Sequence, residues 1–210
     1  MDSAGRALNE AGIGIRPGPR SPFRSRSGCV TFAAMSPSPS STSLEIRALA
    51  EAALARERAP YRELPDRCLL VDVAAQRALL VERGAVAGAW PVSTALAGIG
   101  GTSGSFRTPP GWHRVQRRIG DGAPSGTVFL SREPTGERWQ GETRDDDLIL
   151  TRVLTLEGLE DGVNRGAGCD SLERYIYLHG TNHEDALGRP ASHGCVRFAN
   201  ADIVELFDRL

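Results

Sequence analysis

Residues 175–180 read YIYLHG and, after a polar loop, residues 192–197 read SHGCVR, and these two segments are the most informative about the fold. The first part is rich in aromatic and branched residues and predicts a strand that ends at His179. In the second part Cys195 directly follows Gly194, which has no side chain to keep a substrate away from the backbone. A cysteine in a histidine-rich stretch predicts a nucleophile activated by an imidazole.

Short apolar runs precede this stretch and predict a mostly β protein. They lie at residues 68–73, 78–82, 87–94, 113–118, 127–131 and 149–156. Breaks rich in Gly and Pro separate them, as is typical of a single sandwich or barrel-like β domain. A short helix with Asn200 as its cap closes the chain. We therefore expect one catalytic domain over residues 66–210, with few and short helices.

The first 65 residues differ in composition from the rest. Residues 1–43 are rich in Ser, Pro, Gly and Arg, so we expect a disordered tail. No basic start followed by an apolar core indicates a signal peptide there. Two interpretations stay open, namely a tail or linker, and a translation start at Met35. Residues 44–65 are predicted to form a short helix, which Pro60 ends, and a linker.

The composition excludes several classes of protein. The chain has 210 residues, a net charge of -1, and 25 basic residues that are all arginine. Walker-type phosphate loops, pyridoxal phosphate enzymes and Ser-Lys hydrolases all need a lysine. The Gly-rich stretch 98–104 is therefore interpreted as a mobile loop, and the acidic run 145–147 as a solvated turn. Neither nucleic acid binding nor a transmembrane segment is indicated.

The four cysteines do not form a recognisable framework. Cys29, Cys68, Cys169 and Cys195 contain no Cys-x-x-Cys pair, which argues against a zinc ribbon. A single Cys68–Cys169 disulfide stays open.

A zinc site is the chemical alternative to a cysteine nucleophile. Three imidazoles and one thiolate would suit a tetrahedral metal, and they would come from His179, His183, His193 and Cys195. The spacing of the first two suits one face of a helix, but Gly180 and the β-prone run before it argue against a helix.

The two motifs resemble the signature of the YkuD-type L,D-transpeptidases. PVST at 91–94 and TPPG at 108–111 are similar to an upstream strand and turn of the same domain, so the resemblance covers roughly residues 67–210. It implies a mostly β domain with no metal or organic cofactor. It also implies acyl transfer through a thioester, with peptidoglycan tetrapeptide stems as donor and acceptor.

The resemblance implies a role for each residue of the catalytic motif. Cys195 corresponds to the nucleophile and His179 to the general acid/base. The backbone carbonyl of Gly180 corresponds to the third member of the triad. A primed thiol of this kind would show an apparent pKa below the ~8.5 of a free cysteine.

The neighbouring residues correspond to the wall that binds the donor substrate. His193 and the amides of Gly194 and Cys195 correspond to the oxyanion and donor-binding groups. Ser192 is expected to fix the loop by hydrogen bonds. Arg197 either orders the loop or binds a substrate carboxylate, which a guanidinium contacts in bidentate fashion.

The reaction predicted from the resemblance is a 3→3 cross-link between stem peptides. With water in place of the acceptor amine, the same site would be an L,D-carboxypeptidase. A non-catalytic peptidoglycan-binding or redox-responsive module on the same fold is the alternative from another class. The resemblance implies a periplasmic or cell-envelope location, whereas the missing signal leaves the cytoplasm open. The sequence does not indicate an oligomeric state.

Overall fold

The computed structural model describes residues 28–33 and 42–210. The helices are α1 (Thr42–Leu54) and α2 (Asn200–Arg209), and a 3-10 turn spans Glu184–Ala186. The strands are β1 (Cys29–Ala33), β2 (Arg67–Asp72), β3 (Arg77–Glu82), β4 (Ala85–Pro91), β5 (Gly111–Ile119), β6 (Thr127–Leu130), β7 (Glu133–Arg138), β8 (Ile149–Gly158), β9 (Tyr177–Gly180) and β10 (Val196–Phe198).

These strands form one mixed sheet, so the expectation of a mostly β domain with short helices is confirmed. The strand order is β10-β9-β8-β5-β1-β2-β3-β4, with β6 paired to both β7 and β8. The pairs β1–β2 and β9–β10 are parallel, and the others are antiparallel. The sheet is not closed, although an isolated bridge joins Ser93, just after β4, to Arg197 of β10.

Strand β2 is apolar at consecutive positions because both faces of the sheet are covered. Leu69 and Val71 lie in the core that includes the buried side of α2. Cys68 and Leu70 point to the opposite face and join a second cluster that contains α1. Such a strand has no polar alternation, which is the expected pattern for a strand buried on both faces.

Strand β1 lies inside the segment that the sequence predicts to be disordered, and that prediction is wrong for Cys29–Ala33. The strand lies between β2 and β5, and Val30 and Phe32 are buried in the main core. Five residues are too few for their pattern to stand out from a Ser- and Pro-rich context, and both partner strands are distant in sequence. A chain that began at Met35 would lack β1. Residues 1–27 and 34–41 of the predicted tail, which include Met35, lie outside the described residues.

Two further strands carry little sequence signal. Every residue of β7 is exposed, and β10 has only three residues.

Helix α2 begins at Asn200 with Ala199 at the N-cap position, so the prediction of Asn200 as the cap is wrong. The side-chain amide of Asn200 donates instead to the Thr181 carbonyl and to the Glu184 carboxylate, both at 2.8 Å. No helix among the described residues is long and apolar enough to span a membrane.

Candidate active site

The parallel pair β9–β10 brings the predicted nucleophile and base to one face of the sheet. Register pairs His179 with Arg197. Residues two apart on a strand point the same way, so Tyr177 and Cys195 share that face. The intervening residues, Leu178 and Val196, are buried in the core on the opposite face.

The backbone of Gly180 orients the His179 ring. His179 is 2% exposed, and its Nδ1 lies 2.7 Å from the Gly180 carbonyl oxygen. Because a carbonyl only accepts, Nδ1 carries the proton and Nε2 is the basic nitrogen. Burial lowers the pKa of His179, against the opposing effects of the Gly180 carbonyl and Asp147. The ring is therefore neutral at neutral pH.

Only glycine fits at position 180. A Cβ atom there would lie 2.5 Å from Asn200 Oδ1 and 2.9 Å from the Leu150 carbonyl oxygen. These distances are below any normal carbon–oxygen contact. The strand end is therefore clamped between α2 and β8, which fixes the direction of the carbonyl that holds His179.

Cys195 lies in a densely packed wall but keeps part of its surface open to solvent. It packs against the cluster that contains Tyr177, and its thiol donates to the Tyr175 carbonyl at 3.3 Å. Burial raises the pKa of Cys195 to about 11, although an amide hydrogen bond from Tyr177 opposes the shift. At neutral pH Cys195 is thus a neutral thiol and His179 a neutral imidazole, which differs from the lowered thiol pKa expected of a primed site.

The turn before Cys195 is closed by the Ser192 hydroxyl. Ser192 Oγ donates to the Cys195 carbonyl at 2.6 Å and accepts from the Gly194 amide at 3.2 Å. The Gly194 carbonyl in turn accepts from Thr108 Oγ1 at 3.0 Å. Because the Gly194 amide is already engaged, the Cys195 amide is the better candidate for the oxyanion donor.

An ion pair lies beside this thiol and imidazole. The guanidinium of Arg197, 3% exposed, donates to the Asp147 carboxylate. The same carboxylate lies 3.7 Å from His193 Nδ1. Asp147 raises and Arg197 lowers the pKa of both His179 and Cys195, so their effects oppose each other.

Exposed rings lie on the segments that adjoin Cys195. The His193 side chain is 73% exposed and meets the Phe106 ring edge-on at 5.9 Å. Phe106 and Tyr175 are also exposed and have φ of 54° and 58°, which is strained for a non-glycine residue. Such strain often occurs at functional sites.

Hydrogen bonds anchor the Gly-rich stretch 98–104, for which the sequence predicts a mobile loop. Arg174 donates to the carbonyls of Gly101 at 2.9 Å and of Arg107 at 2.6 Å. The amide of Ser103 also donates to the Gly168 carbonyl at 2.7 Å. These hydrogen bonds hold residues 101–107, including Phe106, against the segment 168–174.

Comparison with known proteins assigns the domain around this site. The sequence model of the YkuD family, the L,D-transpeptidase catalytic domain, matches residues 66–210. The chain belongs to this family. No match appears among curated proteins.

Solved L,D-transpeptidases show a distant likeness to this family member. One from Mycobacterium smegmatis is 18% identical, with 69% of this chain and 54% of that chain covered and a TM-score of 0.40. One from Xylanimonas cellulosilytica is 21% identical, with 77% and 63% covered and a TM-score of 0.31. The alignment with the first spans about half of that chain, and likenesses at these scores add nothing to the family assignment.

Asp147 is the residue of this L,D-transpeptidase domain that sequence reasoning missed. Its loop is held by Asn182, whose side chain accepts from the Leu148 amide at 3.0 Å and donates to the Asp146 carbonyl at 2.8 Å. The run 145–147 does not show which carboxylate turns inward. A signal was nevertheless present, because an arginine in a short buried strand needs an acidic partner.

The alternative zinc site is not formed by the L,D-transpeptidase domain. Within residues 28–33 and 42–210, no three His, Cys, Asp or Glu side chains are grouped so as to hold a metal ion. The four proposed ligands all belong to that part of the chain. His183 turns away to the neighbouring loop, where its Nε2 lies 3.2 Å from the Asp146 carbonyl oxygen.

Proposed function

We propose that this protein is a cysteine acyltransferase that forms 3→3 cross-links between peptidoglycan stem peptides through a Cys195 thioester. One observation carries the proposal. The His179 imidazole on β9 and the Cys195 thiol, directly before β10, lie on one face, and the Gly180 carbonyl leaves His179 Nε2 as the basic nitrogen. Membership of the L,D-transpeptidase family supports the same chemistry.

In the first half-reaction Cys195 Sγ attacks the carbonyl carbon of the third stem residue. The thiol proton passes to His179 Nε2 as the C–S bond forms, because the high thiol pKa disfavours a free thiolate beforehand. The Cys195 amide donates to the developing oxyanion. The terminal D-alanine then leaves with the proton from Nε2, and the thioester remains.

In the second half-reaction an amine of another stem attacks the thioester. His179 Nε2 takes a proton from the attacking amine and returns it to the Cys195 sulfur as the C–S bond breaks. If water attacks instead, the product is a tripeptide and the enzyme is an L,D-carboxypeptidase. Phe106 contacts His193 in the turn before Cys195, and the shape of the surface that they form would decide between the two acceptors.

Arg197 acts in this proposal as a positioning residue. Its burial and its ion pair with Asp147 leave little guanidinium surface for a substrate carboxylate. Its backbone also bonds to Ser93 in both directions, at 3.0 and 2.9 Å. These contacts support the role of ordering the loop over that of binding substrate. A periplasmic or cell-envelope location follows from the same proposal.

The test is intact-protein mass spectrometry of the full chain incubated with a disaccharide-tetrapeptide. An acyl adduct or release of D-alanine is expected with the wild type and not with Cys195→Ala. Cys169→Ala is the matched control, because it removes another partly exposed thiol and should retain both signals.

The soluble products separate the remaining functions. Cross-linked dimers indicate transpeptidation, whereas tripeptides alone indicate a carboxypeptidase. Neither adduct nor product from folded protein would contradict the proposal and favour a non-catalytic peptidoglycan-binding module.

A further inference from the structure

Two cysteines outside the catalytic motif face each other across the parallel strands β1 and β2. Cys29 and Cys68 are register partners, and their sulfur atoms lie 2.9 Å apart. Their exposed fractions are 4% and 0%. This separation is shorter than an ordinary contact between two sulfur atoms, and no step of the proposed reaction uses either thiol.

The strand geometry suits a covalent bond between them. Neighbouring strands lie about 4.7–4.9 Å apart. Disulfides join residues whose Cα atoms are roughly 4.4–6.8 Å apart. Register partners also point to the same face, and both side chains belong to the cluster under α1. A bond can therefore form with little movement of the backbone.

The other two cysteines are placed elsewhere. Cys169 lies in a Gly-rich loop, where its thiol donates to the Arg165 carbonyl at 3.3 Å. The thiol of Cys195 donates a hydrogen bond to the Tyr175 carbonyl. Cys68 thus faces Cys29, and the Cys68–Cys169 pairing left open by the sequence is disfavoured.

We propose that Cys29 and Cys68 form a disulfide that fastens β1 to the catalytic domain. Strand β1 lies before the family match at residues 66–210, yet it occupies the middle of the sheet. A covalent link from Cys29 to the first strand of that match would hold the N-terminal segment in place. This inference does not depend on the proposed reaction.

The oxidation requires a disulfide as the electron acceptor, such as glutathione disulfide. One protein thiolate attacks it and releases one glutathione thiolate, and the second protein thiolate then attacks the mixed disulfide. Two thiols and glutathione disulfide thus give one protein disulfide and two glutathione molecules. Burial and contact with Cys29 raise the pKa of Cys68, so exchange is favoured before β1 docks.

The test is oxidative refolding of the full chain in a glutathione buffer, followed by alkylation in denaturant. Two of the four cysteines are expected to be alkylated. The positions of arginine place each cysteine on its own tryptic peptide. The expected product is therefore a peptide of residues 27–47 linked to one of residues 68–77. Four alkylated cysteines in protein that is folded, or a link to residues 166–174, would overturn the proposal.

Thermal unfolding with and without reductant gives a second measurement. Reduction of the wild type should lower Tm by about 5 to 15 °C. Cys29→Ala should show no such dependence, whereas the control Cys169→Ala should keep it. An equal effect of reductant on the two variants would contradict the proposed pairing.

Discussion

At the scale of single residues, burial sets the resting state of the nucleophile and its base. It lowers the pKa of His179 and raises that of Cys195, so both groups are neutral near pH 7. Proton transfer must then accompany attack on the substrate. This arrangement differs from a preformed pair of thiolate and imidazolium, and the two have different pH profiles.

We expect the alkylation rate of Cys195 by iodoacetamide to rise with pH to about 11. The thiolate is the reactive form, and its fraction grows tenfold per pH unit below the pKa. The measurement uses Cys169→Ala, in which Cys195 is the cysteine that remains partly exposed within the described residues. A rate that levels off below pH 8.5 would indicate a preformed ion pair instead.

We expect Asp147→Asn to weaken both stability and activity. The change leaves Arg197 buried without its carboxylate, at a cost of about 1 to 3 kcal/mol given that Asp147 is 31% exposed. Because Asp147 raises the pKa of His179, its loss should shift the acid limb of the kcat/KM profile to lower pH.

The pH profile separates positioning from a purely structural role for Asp147. Asp145→Asn is the matched control, since Asp145 is exposed in the same run. If Asp147→Asn lowers Tm but leaves the acid limb unmoved, Asp147 does not tune His179.

At the scale of the elements, a buried histidine joins β5 to the segment that leads into β9. His113 Nδ1 lies 3.0 Å from the Gly111 carbonyl oxygen, and Nε2 lies 2.9 Å from Ser171 Oγ. The carbonyl only accepts, so Nδ1 carries the proton and the hydroxyl of Ser171 donates to Nε2. Burial lowers the pKa of His113 to about 3.

We expect this histidine to make the fold sensitive to acid. The unfolded chain binds a proton at His113 below about pH 6.5, whereas the folded chain does so only near pH 3. The contribution of the neutral His113 to the free energy of unfolding is complete above pH 6.5. It is lost as the pH falls toward 3, by up to about 1.4 kcal/mol per pH unit. Urea unfolding of wild type and His113→Asn from pH 7 to 4 measures this slope. Equal slopes would contradict the assignment.

At the scale of the whole molecule, the catalytic domain depends on a strand that precedes the family match. Strand β1 separates β2 from β5 and contributes Val30 and Phe32 to the main core. Each buried side chain of this size stabilises the fold by roughly 1.5–3 kcal/mol. Without β1, the facing edges of β2 and β5 would lose their backbone partners.

We expect a chain of residues 35–210 to be unfolded or strongly destabilised, because it lacks β1. A chain of residues 28–210 retains the strand and is the matched control. Circular dichroism and thermal unfolding compare the two. Equal Tm values would show that β1 is dispensable and would leave a start at Met35 compatible with a folded domain.

Local sequence patterns predict the features that depend on neighbours along the chain. The strand that carries His179, observed at Tyr177–Gly180, and the Ser192–Cys195 turn follow from local residue types, and the family was recognisable from them. Strands β2, β3 and β8 were likewise predicted close to their observed bounds because their apolar runs are long.

The contacts between residues that are distant in sequence become visible in the folded chain. Strand β1 pairs with partners far along the chain, and the same strand register places Cys29 opposite Cys68. Asp147 contacts Arg197 because Asn182 holds the loop that carries it. The raised thiol pKa of Cys195 has the same origin, because desolvation depends on everything packed around the sulfur. Residue types set what each group can do, and the packing of distant segments sets which groups act together.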